Sequence, residues 1–289
     1  MSYSAEISRT SPTSLIFVID QSGSMADSIP NSDPPLRKCD TVADIVNNFL
    51  RNLSMKCVKE EDVRDYFHVG VIGYGMNVGP AWGGVFANRE LLPISELAGS
   101  PAKIEMRTKK VPDGAGGLVE QTVKFPVWFE PVANGGTPMC AALKTAYRLA
   151  DQWIKDHPAS FPPCVIHITD GESTDSRDRD EANRMVAEAM ANLKSLGSTD
   201  GNALLFNIHL SSNQKARPIS LSNDASNLPD DYSRMLYEGS SELTDNMKSI
   251  AKEEYKLSVS DGSKCFALNA DIELLFQCID IGTRAANMR

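Results

Sequence analysis

Apolar residues fall along this chain in two alternating kinds of run. Short unbroken blocks rich in β-branched and aromatic residues occupy 14–20, 66–74, 164–169, 203–210 and 265–268. Blocks this short and continuous suit strands buried on both faces, as in a parallel sheet covered by helices. Between the blocks, apolar residues recur three or four apart. Cys39, Val42, Val46, Phe49 and Leu53 make one stripe over 36–55. Cys140, Leu143, Tyr147, Ala150 and Ile154 make a second, which Thr137 opens as N-cap with Pro138 in the first turn, and which His157-Pro158 stops. A third stripe, from Ala182 through Met185, Val186, Ala189 and Leu193 to Leu196, follows an acidic start and ends at Gly197. Residues 236–255 hold one or two short helices, and Ile272, Leu275, Phe276 and Ile279 mark a closing helix over 271–286. Strands alternating with helices predict an α/β fold, a doubly wound, mainly parallel central sheet with helices on both faces.

Two stretches interrupt the alternation. Residues 85–94 read as a weaker strand. In the segment 95–130, the runs 103–111 and 119–128 each alternate partially and flank Pro112-Asp113-Gly114-Ala115-Gly116-Gly117, which predicts an inserted β-hairpin with a glycine-rich tip. Lys103, Arg107, Lys109 and Lys110 give it a basic patch, read first as a solvated face. Residues 1–13 carry no period and are expected to be a flexible lead-in. No repeat or linker cuts 14–289, which reads as one domain with the hairpin inserted.

Composition narrows the function. The chain has 289 residues and a net charge of −9, which argues against nucleic acid as the main partner. No apolar run is long enough to span a membrane, and the polar start has no leader pattern. The six cysteines, Cys39, Cys57, Cys140, Cys164, Cys265 and Cys278, are scattered without a Cys-x-x-Cys pair and read as buried free thiols, so the expected location is cytoplasmic. His68, His167 and His209 alternate with apolar strand residues, and they and His157 lack metal-ligand spacing; the three strand histidines are expected in the core or on a strand face.

The candidate chemistry lies where strands end. The block Leu15-Ile-Phe-Val-Ile19 stops on Asp20, and Ser22 and Ser24 follow at alternate positions around Gly23, where a tight turn can aim one carboxylate and two hydroxyls at a point. Hard oxygen donors suit a hard divalent cation, Mg²⁺ before Ca²⁺. Asn134-Gly135-Gly136-Thr137-Pro138 puts a hydroxyl on a glycine-rich loop before a helix, and a second buried strand ends at Thr169-Asp170-Gly171. In an open α/β sheet all three loops belong beyond the carboxyl ends of the strands, where ligands sit.

This order of Asp-x-Ser-x-Ser, Gly-Gly-Thr-Pro and strand-Thr-Asp-Gly resembles the von Willebrand factor A (VWA) domain family and its metal-ion-dependent adhesion site, with a weaker likeness to a bacterial stand-alone branch near the C-terminus. The resemblance implies a Rossmann-like sheet in which 85–94 supplies the antiparallel edge strand. It implies a metal site of Asp20, Ser22, Ser24, Thr137 and Asp170. Ser22, Ser24 and Thr137 would be direct ligands, and Asp20 and Asp170 would supply charge and hold water. The cofactor implied is Mg²⁺, with Mn²⁺ and Ca²⁺ as alternatives. The function implied is recognition of a protein partner, which can donate an Asp or Glu to the metal, without catalysis.

Two other readings stay open. A phosphatase-like hydrolase with an Asp nucleophile also begins strand-Asp, but it usually carries a second Asp where this chain has Ser22. Gly-x-Ser-x-Gly and the Gly-x-x-x-x-Gly-Lys phosphate loop are absent. The other reading is a regulatory scaffold of a phosphatase or kinase system that binds its partner without metal.

Overall fold

The computed structural model describes residues 3–29, 35–112, 117–211, 217–269 and 272–283. The first apolar block becomes β1 (Thr13–Asp20), buried along its whole length. Then come α1 (Lys38–Lys56), a small ribbon of β2 (Val58–Lys59) and β3 (Asp62–Val63), and β4 (Phe67–Tyr74). β5 (Val78–Pro80), β6 (Leu92–Pro93) and α2 (Ile94–Gly99) lead to the long hairpin β7 (Lys103–Pro112) and β8 (Leu118–Val127). α3 (Met139–Asp156), β9 (Cys164–Thr169), α4 (Arg179–Ser195), β10 (Leu204–His209) and β11 (Ile219–Ser220) follow. α5 (Asp231–Gly239), α6 (Asp245–Glu253), β12 (Phe266–Leu268) and α7 (Ile272–Thr283) complete the chain.

The main sheet has the order β11-β12-β10-β9-β1-β4-β5, with β6 pairing the start of β4. Its five central strands are parallel, and β11, β5 and β6 run antiparallel at the edges. Successive residues of β1 feed opposite cores. Leu15, Phe17 and Ile19 pack with α1, α2, α6 and α7, whereas Ile16 and Val18 pack with α3, α4 and α5. The fold is therefore the predicted doubly wound α/β sheet. From β1 the chain goes first to β4 on one side and later to β9 on the other, so the strand order reverses between β1 and β9. Such a reversal opens a crevice at the carboxyl ends of the two strands, the place for a ligand in this architecture.

Three expectations shift. The antiparallel edge is formed mainly by Val78–Pro80, and of 85–94 only Leu92–Pro93 pairs, antiparallel to the start of β4. Within 85–94 a 3₁₀ turn (Gly84–Phe86) and a left-handed Asn88 (φ 70°) break the strand before Leu92–Pro93 pairs with β4. Asn tolerates that conformation better than most residues. Thr137 is not the N-cap of α3; that position falls to Pro138, and Asp175 from another loop accepts the Cys140 N–H at 2.8 Å. The helix start has a cap, but a tertiary one. Gly197 does not end α4 in the left-handed conformation; extended Leu196 is the C-cap.

The hairpin forms its own two-stranded sheet, with Lys103 opposite Val127 and Pro112 opposite Leu118. Its tip at 113–116 lies outside the described residues, as do the side chains of Lys109 and Lys110 from the basic patch, part of the loop after Ala26 (30–34) and the end of the closing helix (284–286). The two described basic residues are neutralised. Lys103 meets Glu105 and Glu130, and Arg107 meets Glu105 and Asp44 while lying 3.6 Å over the Phe125 ring. The base of the hairpin is anchored. Asn47 of α1 accepts from the Trp128 and Phe129 N–H groups and donates to the Phe129 carbonyl at 2.7 Å. At the other end of the chain the expected lead-in is tied, with Tyr3 and Ser4 donating to Asp200 and Ile7 buried.

Candidate metal centre at the sheet crevice

Asp20 and Asp170 reach the crevice because each closes a strand on one side of the order reversal. Asp20 is the last residue of β1, and Asp170 follows the last residue of β9. Ser22 begins a 3₁₀ turn, Gly23–Ala26, whose tight rise brings Ser24 back beside it. The loops are stitched through backbone. Asn134 donates to the Gln21 carbonyl at 2.6 Å, and Gly23 donates to the Gly135 carbonyl at 3.1 Å. Gly135 allows this with φ +93°; a Cβ there would lie 2.3 Å from the Met76 nitrogen. Thr137 N–H donates to Thr174 Oγ1 at 2.8 Å, and Thr174 N–H returns to the Thr137 carbonyl at 3.0 Å.

Four of the five predicted residues form one hydrogen-bonded chain. The Ser22 and Ser24 hydroxyls are 3.0 Å apart, and Ser24 Oγ donates to Asp170 Oδ1 at 2.7 Å. Asp20 joins through its Oδ1, which accepts the Ser22 N–H at 2.8 Å, while its Oδ2 accepts Thr169 Oγ1 at 2.9 Å. Thr137 is buried at the same edge, but it is tied in through its backbone; among the described residues its hydroxyl has no hydrogen bond. Burial raises the Asp20 carboxyl to about 6, against hydrogen bonds from Ser22 and Thr169 that lower it and with the neighbouring Asp170 charge adding to the rise.

One residue at the site escaped the sequence reading. The Lys38 ammonium stands 2.7 Å from Asp170 Oδ2, with the two side chains 1% and 0% exposed. Lys38 is the first residue of α1, and its position is set by the loop before it. Ser28 bridges Arg37, and the Lys38 N–H donates to the Asp27 carbonyl at 2.9 Å. A signal was present, because Lys38 lies four residues before Val42 and eight before Val46, in phase with the apolar stripe of α1. A lysine in that phase points into the protein and needs a buried acid.

The donor set can be tested for a divalent ion by its spacing and its chemistry. Adjacent ligands of an octahedral ion with bonds of about 2.1 Å lie about 3 Å apart. The Ser22–Ser24 hydroxyl separation of 3.0 Å is compatible with that edge, while the 2.7 Å Ser24–Asp170 contact is a hydrogen bond to a carboxylate placed to hold water. Among the described residues no three His, Cys, Asp or Glu side chains gather into a metal-binding group. The set is hydroxyl-rich, with two carboxylates, and fits a hard cation that retains water.

Fold and site together define the chain as a doubly wound α/β protein with an oxygen-donor cluster at its strand-order reversal. No family model and no curated protein matches it. Among solved structures, the PilB minor pilin of Streptococcus sanguinis has a TM-score of 0.50 at 10% identity, covering 93% of this chain and 60% of the pilin. The chain thus spans about three fifths of that pilin, and the likeness is one of fold alone. The von Willebrand factor domain of the type V pili tip protein Mfa5 from Porphyromonas gingivalis has a TM-score of 0.29 at 13% identity over 56% of this chain and 39% of that one. Proximal thread matrix protein 1 of the mussel byssus, in a form with a zinc-occupied adhesion-site motif, has a TM-score of 0.33 at 14% identity over 69% and 38%.

The strand histidines His167 and His209 lie in the core, and His68 is half-buried. His167 is fully buried between Tyr74 and Asn207. Asn207 Oδ1 faces its Nδ1 at 2.8 Å, and the Tyr74 hydroxyl faces its Nε2 at 2.8 Å, an arrangement that assigns the proton to Nδ1. Burial lowers His167 and His209 to about 4, so both stay neutral at pH 7. His68 packs edge-on to Trp153. All six cysteines are buried and free, and no helix among the described residues is long and apolar enough to cross a membrane.

Proposed function

We propose that this chain is a protein-recognition domain of the VWA type that binds a divalent cation, Mg²⁺ in the first instance, through Ser22, Ser24 and Thr137, with Asp20 and Asp170 supplying charge and holding water, and that a partner's Asp or Glu completes the site. The observation that carries this reading is the pair of Ser22 and Ser24 hydroxyls 3.0 Å apart at the carboxyl ends of the strands, with Asp170 hydrogen-bonded to Ser24 at 2.7 Å where it can hold a water ligand. The Thr137 hydroxyl at the same edge supports it as a donor not engaged among the described residues. A bound ion would act as a Lewis acid toward an anionic group of the partner.

A binding role fits the site better than hydrolysis. In the hydrolase alternative Asp20 would be the nucleophile, yet both of its oxygens accept hydrogen bonds from the chain, which favours a positioning carboxylate. The net charge of −9 disfavours nucleic acid as the main partner, and six free buried thiols suit a reducing compartment.

Melting curves test the metal. A cation that binds only the folded chain stabilises it by about 2.7 kcal/mol at a hundred times its Kd. Millimolar Mg²⁺ or Mn²⁺ should raise the melting temperature of the wild type and leave Ser22→Ala unmoved. An equal rise in both proteins would place the cation elsewhere, and no rise in either at tens of millimolar would remove the metal from the reading.

A further inference from the structure

The cluster contains a charge that a plain divalent site would not want. Asp170 has both oxygens engaged, Oδ1 by the Ser24 hydroxyl and Oδ2 by the Lys38 ammonium. The Lys38 ammonium removes one unit of negative charge from the pair of carboxylates, Asp20 and Asp170. The ammonium is fully buried, so solvent does not screen it from whatever occupies the crevice. Its backbone is anchored at the start of α1 by the Asp27 carbonyl and the Ser28–Arg37 bridge, and leaving Asp170 would break a buried ion pair.

We infer that Lys38 is a built-in counter-ion of the cation site: its charge weakens the hold on a divalent cation alone and strengthens the hold of the cation-loaded site on an incoming carboxylate. The inference deepens the function proposed above and rests on it. With Lys38, a divalent ion faces one unit less of negative charge, and the loaded cluster is one unit more positive. Without Lys38 the ion would be neutralised by Asp20 and Asp170 and would offer a carboxylate much less. Cation and carboxylate favour each other reciprocally, and Lys38 shifts affinity from the lone cation toward the carboxylate at the loaded site.

The test is calorimetric titration of Mn²⁺ into the full chain, wild type and Lys38→Met, in chloride and in sodium acetate of equal ionic strength, with acetate as the carboxylate probe. Lys38→Gln, which keeps a hydrogen-bond donor toward Asp170 without the charge, covers the case in which Lys38→Met fails to fold. Either variant should bind Mn²⁺ about tenfold or more tightly than the wild type in chloride. Acetate should tighten Mn²⁺ binding several-fold in the wild type and much less in the variants. Equal or weaker Mn²⁺ binding by the folded variants, or an acetate effect of the same size in all proteins, overturns the role of Lys38 while leaving the metal reading standing. No Mn²⁺ binding by any of the three proteins overturns both.

Discussion

The crevice and the inserted hairpin hold nearly the same interaction in opposite surroundings. At the crevice Lys38 meets Asp170 at 2.7 Å, with both side chains out of solvent. On the hairpin Arg107 meets Asp44 at 2.8 Å, with the Asp44 side chain 56% exposed. Distance therefore says little about what either pair does. In water the Arg107–Asp44 attraction is screened, and holding two side chains in place offsets much of it. At the crevice both charges are out of water, so losing one partner removes a buried compensation from the other. The buried pair is not thereby a large net gain for folding, since both ions were first dehydrated. It is a constraint that makes Lys38 and Asp170 depend on each other.

The sharpest way to break this comparison is Asp170→Ala, which leaves a buried ammonium and frees the Ser24 hydroxyl. We expect a loss of about 3–5 kcal/mol. Urea unfolding at pH 7 measures it, and a loss below 1 kcal/mol would show that Lys38 finds water or another acceptor.

The next effect asks whether burial alone, away from the site, imposes a similar dependence. His167 and His209 ionise near 4 in the fold and near 6.5 when unfolded. As pH falls through 6.5 toward 4 the unfolded chain takes up these protons and the folded chain does not. Stability is therefore complete above 6.5 and declines across that window, by on the order of 2–3 kcal/mol for each imidazole. Asp20, raised to about 6, acts in the opposite sense, because the folded chain takes up its proton first. His167→Gln should flatten the acid-side decline by roughly one imidazole's share. An unchanged slope between pH 6.5 and 4.5 would show that His167 is not the group responsible.

The smallest effect is expected at the hairpin. Asp44→Ala should cost less than about 1 kcal/mol, and less still in 1 M salt. A loss of 2 kcal/mol or more, insensitive to salt, would mean that the hairpin pair is far less solvated than its exposure indicates and would dissolve the contrast with the crevice.

The five central parallel strands and most of the chemistry at their ends were legible in the sequence. Unbroken apolar blocks leave few options but buried parallel strands, and a block that ends on Asp20 or just before Asp170 puts a carboxylate at a strand's end before any contact is known. Ser22 and Ser24 could be placed beside Asp20 because only a tight turn separates them. These are local consequences of period and chain connectivity. The edge strand Val78–Pro80 was not legible, because three residues containing Gly and Pro carry no strand pattern and pair only when β4 presents an edge. The cap of α3 was not legible either; Asp175 lies 35 residues from Cys140 and reaches it only through the folded loops. Lys38 was half legible. Its phase in the α1 stripe pointed it inward, but only the tertiary structure decided that its partner is Asp170, 132 residues away. A buried charge must be matched in space, and a sequence pattern with a period of a few residues cannot specify which distant loop brings the match.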